Sequence, residues 1–276
     1  MKKSCTLLLQ RNLPEVTERF ADNLLKYNSS VTDLYVIESG SDDNNLTSYD
    51  TFHANWTDAR VNGLRTGRGF NYGLKTLMEK KLDYEFILMA TGDAQLPDEP
   101  AVEILLEEME NNKKMGIVAP ITWNWGARVE KFKNQKLTRA MGIQIPHICW
   151  LFRKQCINDI TRSLNPSIYE EFLYDGSNFR CYGADTEIMM KVYRENWFFG
   201  ITSKTTHKED YSLTDQNYKK MKTDSHNRHR ELMWEEGKAW LVKKFNCATK
   251  QEFNALLGQE YLKFFSRNSE LSRLMY

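Results

Sequence analysis

Apolar and polar residues alternate in blocks through the first half of the chain, and these blocks predict strands and helices in turn. Four short apolar runs, each followed by polar residues or glycine, are typical of buried strands: residues 5–9, 34–37, 86–89 and 116–119. Stretches with a helical spacing of apolar residues separate them, at about 14–25, 72–81 and 97–109. This alternation predicts an α/β fold with a mostly parallel, doubly wound sheet flanked by helices.

The second half of the chain has a less regular pattern. Residues 187–196 have the spacing of an amphipathic helix, and residues 198–202 have that of a strand. From Arg228 onward the chain is charged and helical in pattern. We therefore predict two units, an α/β domain over residues 1–210 and a helical C-terminal extension over residues 211–276.

The composition is that of a globular protein with a full core, since 41% of the 276 residues are hydrophobic. The 38 basic and 37 acidic residues nearly cancel, so no global field attracts nucleic acid, and an anion must be bound at a local site. No apolar run approaches the roughly 20 residues of a membrane-spanning helix. Five cysteines without a CxxC pair favour reduced thiols and a cytoplasmic protein.

Polar residues stand where the predicted parallel strands end. Asn12, Glu38 and Asp93 each follow a strand, and the carboxyl ends of parallel strands form the ligand-binding edge of an open sheet. Asp93 lies in the turn Thr91-Gly92-Asp93, from which a carboxylate can hold a divalent cation against a diphosphate. The structural alternative is a side chain that caps the following turn.

Two further candidates lie in the second half. Asp185 stands at the start of the helix predicted after Gly183, where it either stabilises the helix N-terminus or serves as a general base toward an acceptor hydroxyl. His207 follows the strand at 198–202 and is either a surface residue or a nitrogen ligand of a divalent cation.

The order of these motifs resembles that of the family 2 glycosyltransferases, over roughly residues 5 to 210. The matching segments are a polar turn after the second strand, an Asn-Gly region, an Asp turn, an Asp before a helix and a downstream His. In this sequence they are Glu38-Ser39-Gly40-Ser41-Asp42-Asp43, Asn62-Gly63 to Asn71-Tyr72-Gly73, Thr91-Gly92-Asp93, Gly183-Ala184-Asp185-Thr186-Glu187 and His207. The resemblance implies the GT-A fold, a Rossmann-like sheet that binds a nucleotide-diphosphate sugar as donor.

The resemblance also implies a role for each candidate. The implied residues of the donor pocket are Asn12, Glu38, Asp43, Arg68, Gly92 and Asp93. Asp93 and His207 are the implied ligands of Mn²⁺ or Mg²⁺, which bridges the donor diphosphate. Asp185 is the implied general base of an inverting transfer to a hydroxyl of a glycan or a lipid-linked glycan.

Several residues of the second half are implied to border the acceptor, namely Trp123, Trp125, His147, Trp150 and Glu187. Aromatic faces stack on sugar rings, but the same rings bury large apolar areas, so core packing is the alternative for the tryptophans. If residues 123–125 are extended, at least one of the two tryptophans faces outward, because side chains alternate along a strand.

Two departures from the family pattern favour an alternative function. Thr91 stands where the family has a second metal-binding carboxylate, and Ala184 where it has an acid before the base. A third departure is Glu38, which stands where the family usually has Asp. It affects only the recognition of the donor's nucleobase. The alternative is a catalytically impaired relative that binds a sugar nucleotide.

Two other nucleotide-binding classes fit the sequence poorly. Gly67, Gly69 and Gly73 suggest a dinucleotide-binding fingerprint, but no strand is predicted before them and position 72 is Tyr. A nucleotidyltransferase usually has a Gly-rich basic loop near the N-terminus, which residues 10–15 do not supply.

The C-terminal extension has no assigned role. Its basic residues and two tryptophans suit an anionic membrane surface that carries a lipid-linked acceptor: Lys219, Lys220, Lys222, Arg228, Arg230, Trp234 and Trp240. A helical subdomain that packs on the α/β domain is the simpler prediction, and peripheral membrane contact is the other.

Overall fold

The computed structural model describes residues 2–122, 134–161, 167–209 and 215–276. Within these ranges the strands are β1 (Ser4–Gln10), β2 (Thr32–Glu38), β3 (Thr51–His53), β4 (Phe86–Thr91), β5 (Ala94–Gln95), β6 (Met115–Ile121), β7 (Thr138–Ala140), β8 (Cys149–Arg153), β9 (Phe198–Thr206) and β10 (Lys208–Glu209). The helices are α1 (Pro14–Asn28), α2 (Thr57–Asn62), α3 (Arg65–Glu79), α4 (Ala101–Asn111), α5 (Lys154–Thr161), α6 (Ala184–Arg194), α7 (Asp215–Lys220), α8 (His226–Phe245) and α9 (Lys250–Arg267). Short 3-10 turns span Asp43–Asn45 and Ser269–Leu274.

The described strands form an eight-stranded mixed sheet with the spatial order β3–β2–β1–β4–β8–β6–β9–β7, and β5 pairs separately with β10. β1 pairs in parallel with β2 and β4, β2 with β3, and β6 with β9. Within this sheet β8 and β7 run against their neighbours. The predicted α/β class with a mostly parallel sheet is therefore confirmed.

The five strands predicted from the sequence lie in this sheet as β1, β2, β4, β6 and β9. β8 is an addition to them, inserted between β4 and β6. All of its residues are buried, so its sequence has no apolar–polar alternation to mark it as a strand. Its first residue, Cys149, pairs with Ala90 near the end of β4, and the residues just before β8 therefore lie at the carboxyl edge of the sheet.

Helix α3 begins at Arg65, earlier than the predicted start near residue 72. Its glycines permit a close approach to the sheet: a Cβ at Gly69 would lie 2.5 Å from Leu9 Cδ1, and one at Gly73 would lie 2.4 Å from Ile37 Cδ1. These glycines serve helix–sheet packing, and helix α2 rather than a strand precedes them. The dinucleotide-binding fingerprint is therefore excluded.

The C-terminal helices α8 and α9 pack into the same hydrophobic core as the sheet. Leu241 and Phe264 are fully buried, and the Phe264 ring lies 5.6 Å from that of Tyr193 on α6 and 6.0 Å from that of Phe198 on β9. The boundary between residues 210 and 211 stays a prediction, but the described part of the extension shares one core with the α/β domain.

The tryptophans of α8 differ in exposure. Trp240 is buried, and its Nε1 donates to Asp175 over 2.9 Å, so it is not available to a membrane. Trp234 is 46% exposed. No helix in the described part of the chain is long and apolar enough to cross a bilayer.

Candidate active site

A cleft with a volume of about 380 Å³ opens where β1, β2 and β4 end. We name it the strand-end cleft, and its size is within the range of small-molecule sites. Its lining residues are Leu9, Gln10, Arg11, Leu13, Val16, Thr17, Ser39, Gly63, Arg65, Thr66, Thr91, Gly92, Asp93, Arg180, Cys181, Tyr218, Met221, Thr223, His226 and His229. The extension after residue 211 therefore supplies one wall of the cleft.

A larger cavity, of about 680 Å³, lies near the opposite end of β4. Residues such as Leu77, Ile87, Ile157 and Phe172 give it a mainly apolar lining, and none of the predicted site residues reaches it. The strand-end cleft is therefore the better candidate site, because polar groups converge there at the carboxyl edge of the sheet.

Gly92 and Asp93 form the wall of the cleft at the end of β4. The Gly92 N–H donates to the Leu9 carbonyl over 2.9 Å, and a Cβ at Gly92 would lie 2.8 Å from Thr17 Oγ1. Glycine thus lets this turn close against the end of β1 and the start of α1. The turn sets Asp93 in the cleft lining.

His207 follows β9, beside the segment that carries Asp93. β10 pairs with β5, with Lys208 opposite Gln95, so the residues after Asp93 and those after His207 run side by side. The imidazole is 1% exposed, and its Nδ1 lies 3.1 Å from the Pro120 carbonyl. A carbonyl only accepts, so Nδ1 carries the proton. Burial lowers the pKa of His207 to about 4, which leaves the ring neutral with a lone pair on Nε2.

The protein groups suited to a divalent cation are few. A neutral histidine whose other nitrogen donates to a carbonyl is the usual metal-binding form, and Asp93 adds a carboxylate in the cleft. No cluster of three or more His, Cys, Asp or Glu side chains that could hold a metal occurs in the described residues. Mg²⁺ commonly takes one or two carboxylates together with substrate phosphates and water. A cation held here would share its ligands with a bound diphosphate, and a cation site formed by Asp93 and His207 stays a prediction.

Asp185 lies in the first turn of α6, next to the end of β4. Two consecutive residues connect it with the cleft: the His147 N–H donates to Asp185 Oδ1 over 3.3 Å, and the Ile148 carbonyl accepts the Thr91 N–H over 3.0 Å. Gln144 Nε2 also donates to Asp185 Oδ2 over 3.3 Å. Desolvation raises the pKa of Asp185 to about 6, against the lowering effect of these hydrogen bonds. A carboxyl with this pKa is ionised at neutral pH and can take up a proton.

Asn12 fixes the turns around the cleft. Its backbone is left-handed, with a φ of 54°. Its side chain accepts the Asp42 N–H over 2.8 Å and donates to the Lys220 carbonyl over 2.9 Å. Asn12 thus joins the end of β1 to the β2 turn and to α7, and its contact with a nucleotide stays a prediction.

Glu38 is fully buried at the end of β2. Its carboxylate accepts hydrogen bonds from the Gln10 side chain and, over 2.9 Å, from the Thr47 N–H. Desolvation raises the pKa of Glu38. The neighbouring Gln10 and Ser39 line the cleft. Recognition of the donor's nucleobase by Glu38 stays a prediction.

Asp43 and Arg68 lie outside the cleft lining, as do Asn12, Glu38, Asp185 and His207; of the predicted donor, metal and base residues, only Gly92 and Asp93 line it. Asp43 is exposed and pairs with Arg60 over 2.7 Å, and the hydrogen bond from Arg60 lowers the pKa of Asp43. Arg68 Nε donates to the Gly176 carbonyl over 2.8 Å, and its guanidinium lies 4.9 Å from the centre of the Tyr169 ring. Nucleotide contacts for Asp43 and Arg68 stay predictions. Such contacts require a ligand that extends past the cleft lining.

Among the acceptor-side candidates, Trp123 and Trp125 lie outside the described residues. His147 and Trp150 are buried and stacked on each other, with ring centroids 4.4 Å apart. Trp150 Nε1 donates to the Pro146 carbonyl over 3.1 Å, and burial lowers the pKa of His147 to about 3. Both rings pack in the core and present no face to an acceptor, because the aromatic residues here fill the space between sheet and helices.

Glu187 takes part in a buried ion-pair network. It is 2% exposed and pairs with Lys244 over 2.7 Å and with Lys191 over 3.3 Å. Lys244 also pairs with Asp175 over 2.7 Å. The network connects α6 with α8 next to Asp185, so the side chain of Glu187 has a structural role in this arrangement.

The cleft contains charged residues that sequence reasoning missed. Arg65 Nη2 and Arg180 Nη1 both donate to Asp224, over 3.2 and 2.7 Å. The same two guanidiniums contact His229 Nδ1, over 3.4 and 3.2 Å. Burial and the two arginines lower the pKa of His229 to about 4. No local signal could have grouped these residues, since 164 positions separate Arg65 from His229.

The sequence matches no family model and no curated protein. Solved structures nevertheless share its fold. GalNAc-T7 with UDP, GalNAc and Mn²⁺ has a TM-score of 0.59 at 9% identity, over 99% of this chain and 58% of that one. The mannosyltransferase PcManGT from Pyrobaculum calidifontis, with GDP-Man and Mn²⁺, has a TM-score of 0.52 at 12% identity, over 94% and 69% of the two chains. S. aureus TarS 1–349 with UDP-GlcNAc has a TM-score of 0.51 at 13% identity, over 99% and 75%.

Similarity at these identities establishes the fold. The mixed α/β sheet with its flanking helices matches these structures over nearly the whole chain. The expected fold is thus confirmed, and the chain has the GT-A fold.

Proposed function

We propose that the protein is an inverting glycosyltransferase that moves a sugar from a nucleotide-diphosphate sugar to an acceptor hydroxyl. The observation that carries this proposal is the position of Asp185. Asp185, a carboxyl with a pKa of about 6, lies outside the cleft lining and is connected to it through two consecutive residues: His147 bonds to Asp185, and Ile148 bonds to Thr91, at the end of the strand that leads to Asp93. A general base thus stands next to a cleft suited to a diphosphate.

The ligands of the similar structures support the choice of donor. GalNAc-T7 was crystallised with UDP and Mn²⁺, PcManGT with GDP-Man and Mn²⁺, and TarS with UDP-GlcNAc. A nucleotide-diphosphate sugar is therefore our proposed donor, with Mn²⁺ or Mg²⁺ held by Asp93 and, on the neighbouring segment, by His207. When bound, the cation neutralises charge on the departing diphosphate.

The reaction proposed for this site uses Asp185 as the base. Asp185 takes the proton of an acceptor hydroxyl as that oxygen attacks the anomeric carbon of the donor sugar. The bond from that carbon to the diphosphate oxygen breaks, and the electron pair leaves with the nucleoside diphosphate. Attack opposite the leaving group inverts the configuration, and binding both substrates at one sheet edge provides the alignment.

The acceptor is proposed to be a glycan or a lipid-linked glycan. Gln144 is half-buried and bonded to Asp185, so the acceptor hydroxyl is expected to approach along this side of the carboxyl. We also propose a cytoplasmic location for the protein. A peripheral membrane contact through Trp234 and the basic residues of the extension is a further proposal.

The first test is transfer from a panel of UDP- and GDP-sugars in Mn²⁺, with release of nucleoside diphosphate as the readout. Asp185→Asn should lower kcat/KM by about 10²- to 10⁴-fold, the usual contribution of a general base, and Asp93→Asn should remove the dependence on Mn²⁺. Asp98→Asn is the matched control, because Asp98 is an exposed carboxylate that accepts a hydrogen bond from Asn23 on α1 and has no role in the proposed reaction. Unchanged turnover in Asp185→Asn would contradict the assignment of the base.

Thr91 and Ala184 favour a second candidate, a relative that binds sugar nucleotides without transferring them. Thr91 offers a hydroxyl, which lies 3.5 Å from the Ile148 carbonyl, in place of a second carboxylate. In the same assay, binding of a nucleotide sugar with neither transfer nor hydrolysis in Mn²⁺ would select this candidate.

A further inference from the structure

We propose that three arginines of the strand-end cleft, Arg11, Arg65 and Arg180, bind the two phosphate groups of the donor directly. A nucleoside diphosphate is then expected to bind even when no divalent cation is available. We name these three side chains the arginine cluster. The identity of the donor rests on the proposed function, whereas the anion site itself is argued from the cleft.

Arg11 is the clearest member of the cluster, because it is only 7% exposed and lines the cleft. Its Nη2 donates to the carbonyls of Arg60 and Val61, over 2.8 and 3.1 Å. Its Nε and Nη1 have no acceptor among the described residues. Buried donors are nearly always paired in folded proteins; these two are unpaired and themselves buried, so an acceptor from outside the chain reaches them only if neighbouring groups shift.

Arg65 and Arg180 are held in place by shared partners. Both donate to Asp224, and both contact Nδ1 of His229. Asp224 and His229 thus fix the two guanidiniums side by side, and the buried Nε of Arg65 has no partner among the described residues.

The charges in the cleft favour an anion of the phosphate class. Desolvation and the neighbouring Arg65 lower the pKa of Arg11, and desolvation and Arg180 lower that of Arg65. Asp224 pairs with Arg65 and Arg180 and Glu236 pairs with Arg180, Asp42 opposes the lowering of the Arg11 pKa, and Asp93 is a further carboxylate of the cleft lining. A phosphate group would reduce the remaining repulsion, and its oxygens suit the planar donor set of a guanidinium.

The extension has a defined part in this site. Asp224 and His229 belong to it, and Tyr218 and Met221 line the same cleft. Two bonds fix this segment to the β1 and β2 turns, from Asn12 Nδ2 to the Lys220 carbonyl and from Lys222 Nζ to Asp42 Oδ1, over 2.9 and 2.6 Å. The described extension is therefore a component of the anion site as well as a packing unit.

The experiment is a calorimetric titration of the whole chain with UDP, GDP, uridine, guanosine and inorganic diphosphate, first in EDTA and then in Mn²⁺. In EDTA at least one nucleoside diphosphate should bind about tenfold or more tightly than its nucleoside. Arg65→Asn should lower that affinity about 10- to 100-fold, the effect of a charge-assisted hydrogen bond, with nucleoside binding unchanged. Asn suits position 65 because its φ is +55° and Asn tolerates the left-handed region.

Arg11→Met is the second variant, since Met retains apolar bulk at a buried position. Arg194→Ala is the matched control, because Arg194 is 46% exposed and pairs with Glu260 away from the cleft. Circular dichroism and thermal melting verify that each variant is folded. Diphosphate binding that disappears in EDTA, or folded Arg65→Asn and Arg11→Met proteins with wild-type affinity, would overturn the proposal.

Failure of this inference can be told apart from failure of the proposed function. If diphosphates bind in EDTA through Arg65 but no nucleotide sugar is turned over, the anion site is supported and the transferase assignment is contradicted. If sugar transfer proceeds with the same KM in wild type and in Arg65→Asn, the transferase function is supported and phosphate binding by the arginine cluster is contradicted.

Discussion

The ionisation of Asp185 is set by two opposing influences. Desolvation raises its pKa, whereas hydrogen bonds from Gln144 and from the His147 N–H lower it, and the result is a pKa of about 6. A base must be ionised to act, so its activity is present above this pKa and lost as the pH falls through it.

We therefore expect kcat/KM to be constant from about pH 7 to 8 and to fall about tenfold for each pH unit well below 6, as the ionised fraction does. Initial rates measured from pH 5 to 8 test this, with samples held at pH 5 and returned to pH 7.5 to verify that they stay folded. Equal rates at pH 5 and pH 7.5 would show that Asp185 is not the titrating base. Asp185→Asn should unfold at a higher urea concentration than wild type at pH 7.5, because it removes a desolvated charge.

The sequence context marks acidic residues of the site better than basic ones. Asp93 follows a strand in a glycine turn, and Asp185 begins a helix, so each stands in a context that a short stretch of sequence reveals. Arg65 and Asp224 are 159 positions apart, and only the pairing of distant elements brings them together. Burial is also hidden from the sequence: Trp150 and His147 suit a sugar-binding surface in type, yet both pack in the core.

At the scale of elements, length and periodicity decide what the sequence can predict. Long amphipathic helices such as α1 and α6 have a clear pattern, and parallel strands such as β1 and β4 are continuous apolar runs. β3, β5, β7 and β10 are two or three residues long, too short for any period to be recognised. Their existence depends on partners elsewhere in the chain.

Two helical glycines provide a test of how α8 docks. A Cβ at Gly237 in α8 would lie 2.2 Å from Tyr182 Cγ, whereas one at Gly258 in α9 would meet nothing within 4 Å. Gly237→Ala should therefore lower the free energy of unfolding by about 1–3 kcal/mol through overpacking. Gly258→Ala should raise it by about 0.5–1 kcal/mol, since alanine is the better helix former.

Urea unfolding measures the free energy of unfolding of both variants. The two carry the same Gly→Ala change, one against Tyr182 and one in open space. Equal shifts in the two proteins would mean that α8 does not lie against Tyr182 as described. Because Arg180 and Glu236 flank this contact in sequence and pair over 3.0 Å, Gly237→Ala is also expected to weaken anion binding in the cleft.

At the scale of the whole molecule, a few buried charges connect the C-terminal helices with the sheet domain. Lys244 pairs with Glu187 on α6 and with Asp175, and these interactions raise its pKa although burial opposes them. Removal of one partner from a buried pair leaves an uncompensated charge in the interior. Lys244 thus stabilises the contact that holds α8 against the site.

Lys244→Met should destabilise the protein by about 3 kcal/mol, because Asp175 would lose its cation and Glu187 would keep only Lys191 as a partner. Lys243→Met is the control, since Lys243 is the adjacent residue of the same helix and is exposed. Chemical unfolding at pH 7 measures both variants. Similar unfolding midpoints for the two proteins would show that the network contributes little to stability.

The walls of the strand-end cleft come from distant parts of the chain, and this has a consequence for the time course of folding. Asn12 and Lys220 are bonded across 208 residues, and Gly67 and Cys181 across 114. Contacts of such sequence separation form slowly, because long loops must be closed before the contact energy is gained. The local pairing of β1 with β2 can be complete while the cleft is still open. If the cleft binds the proposed nucleotide, that capacity appears only when folding is complete, and the ligand acts as a non-covalent cross-link between segments that were synthesised far apart in time.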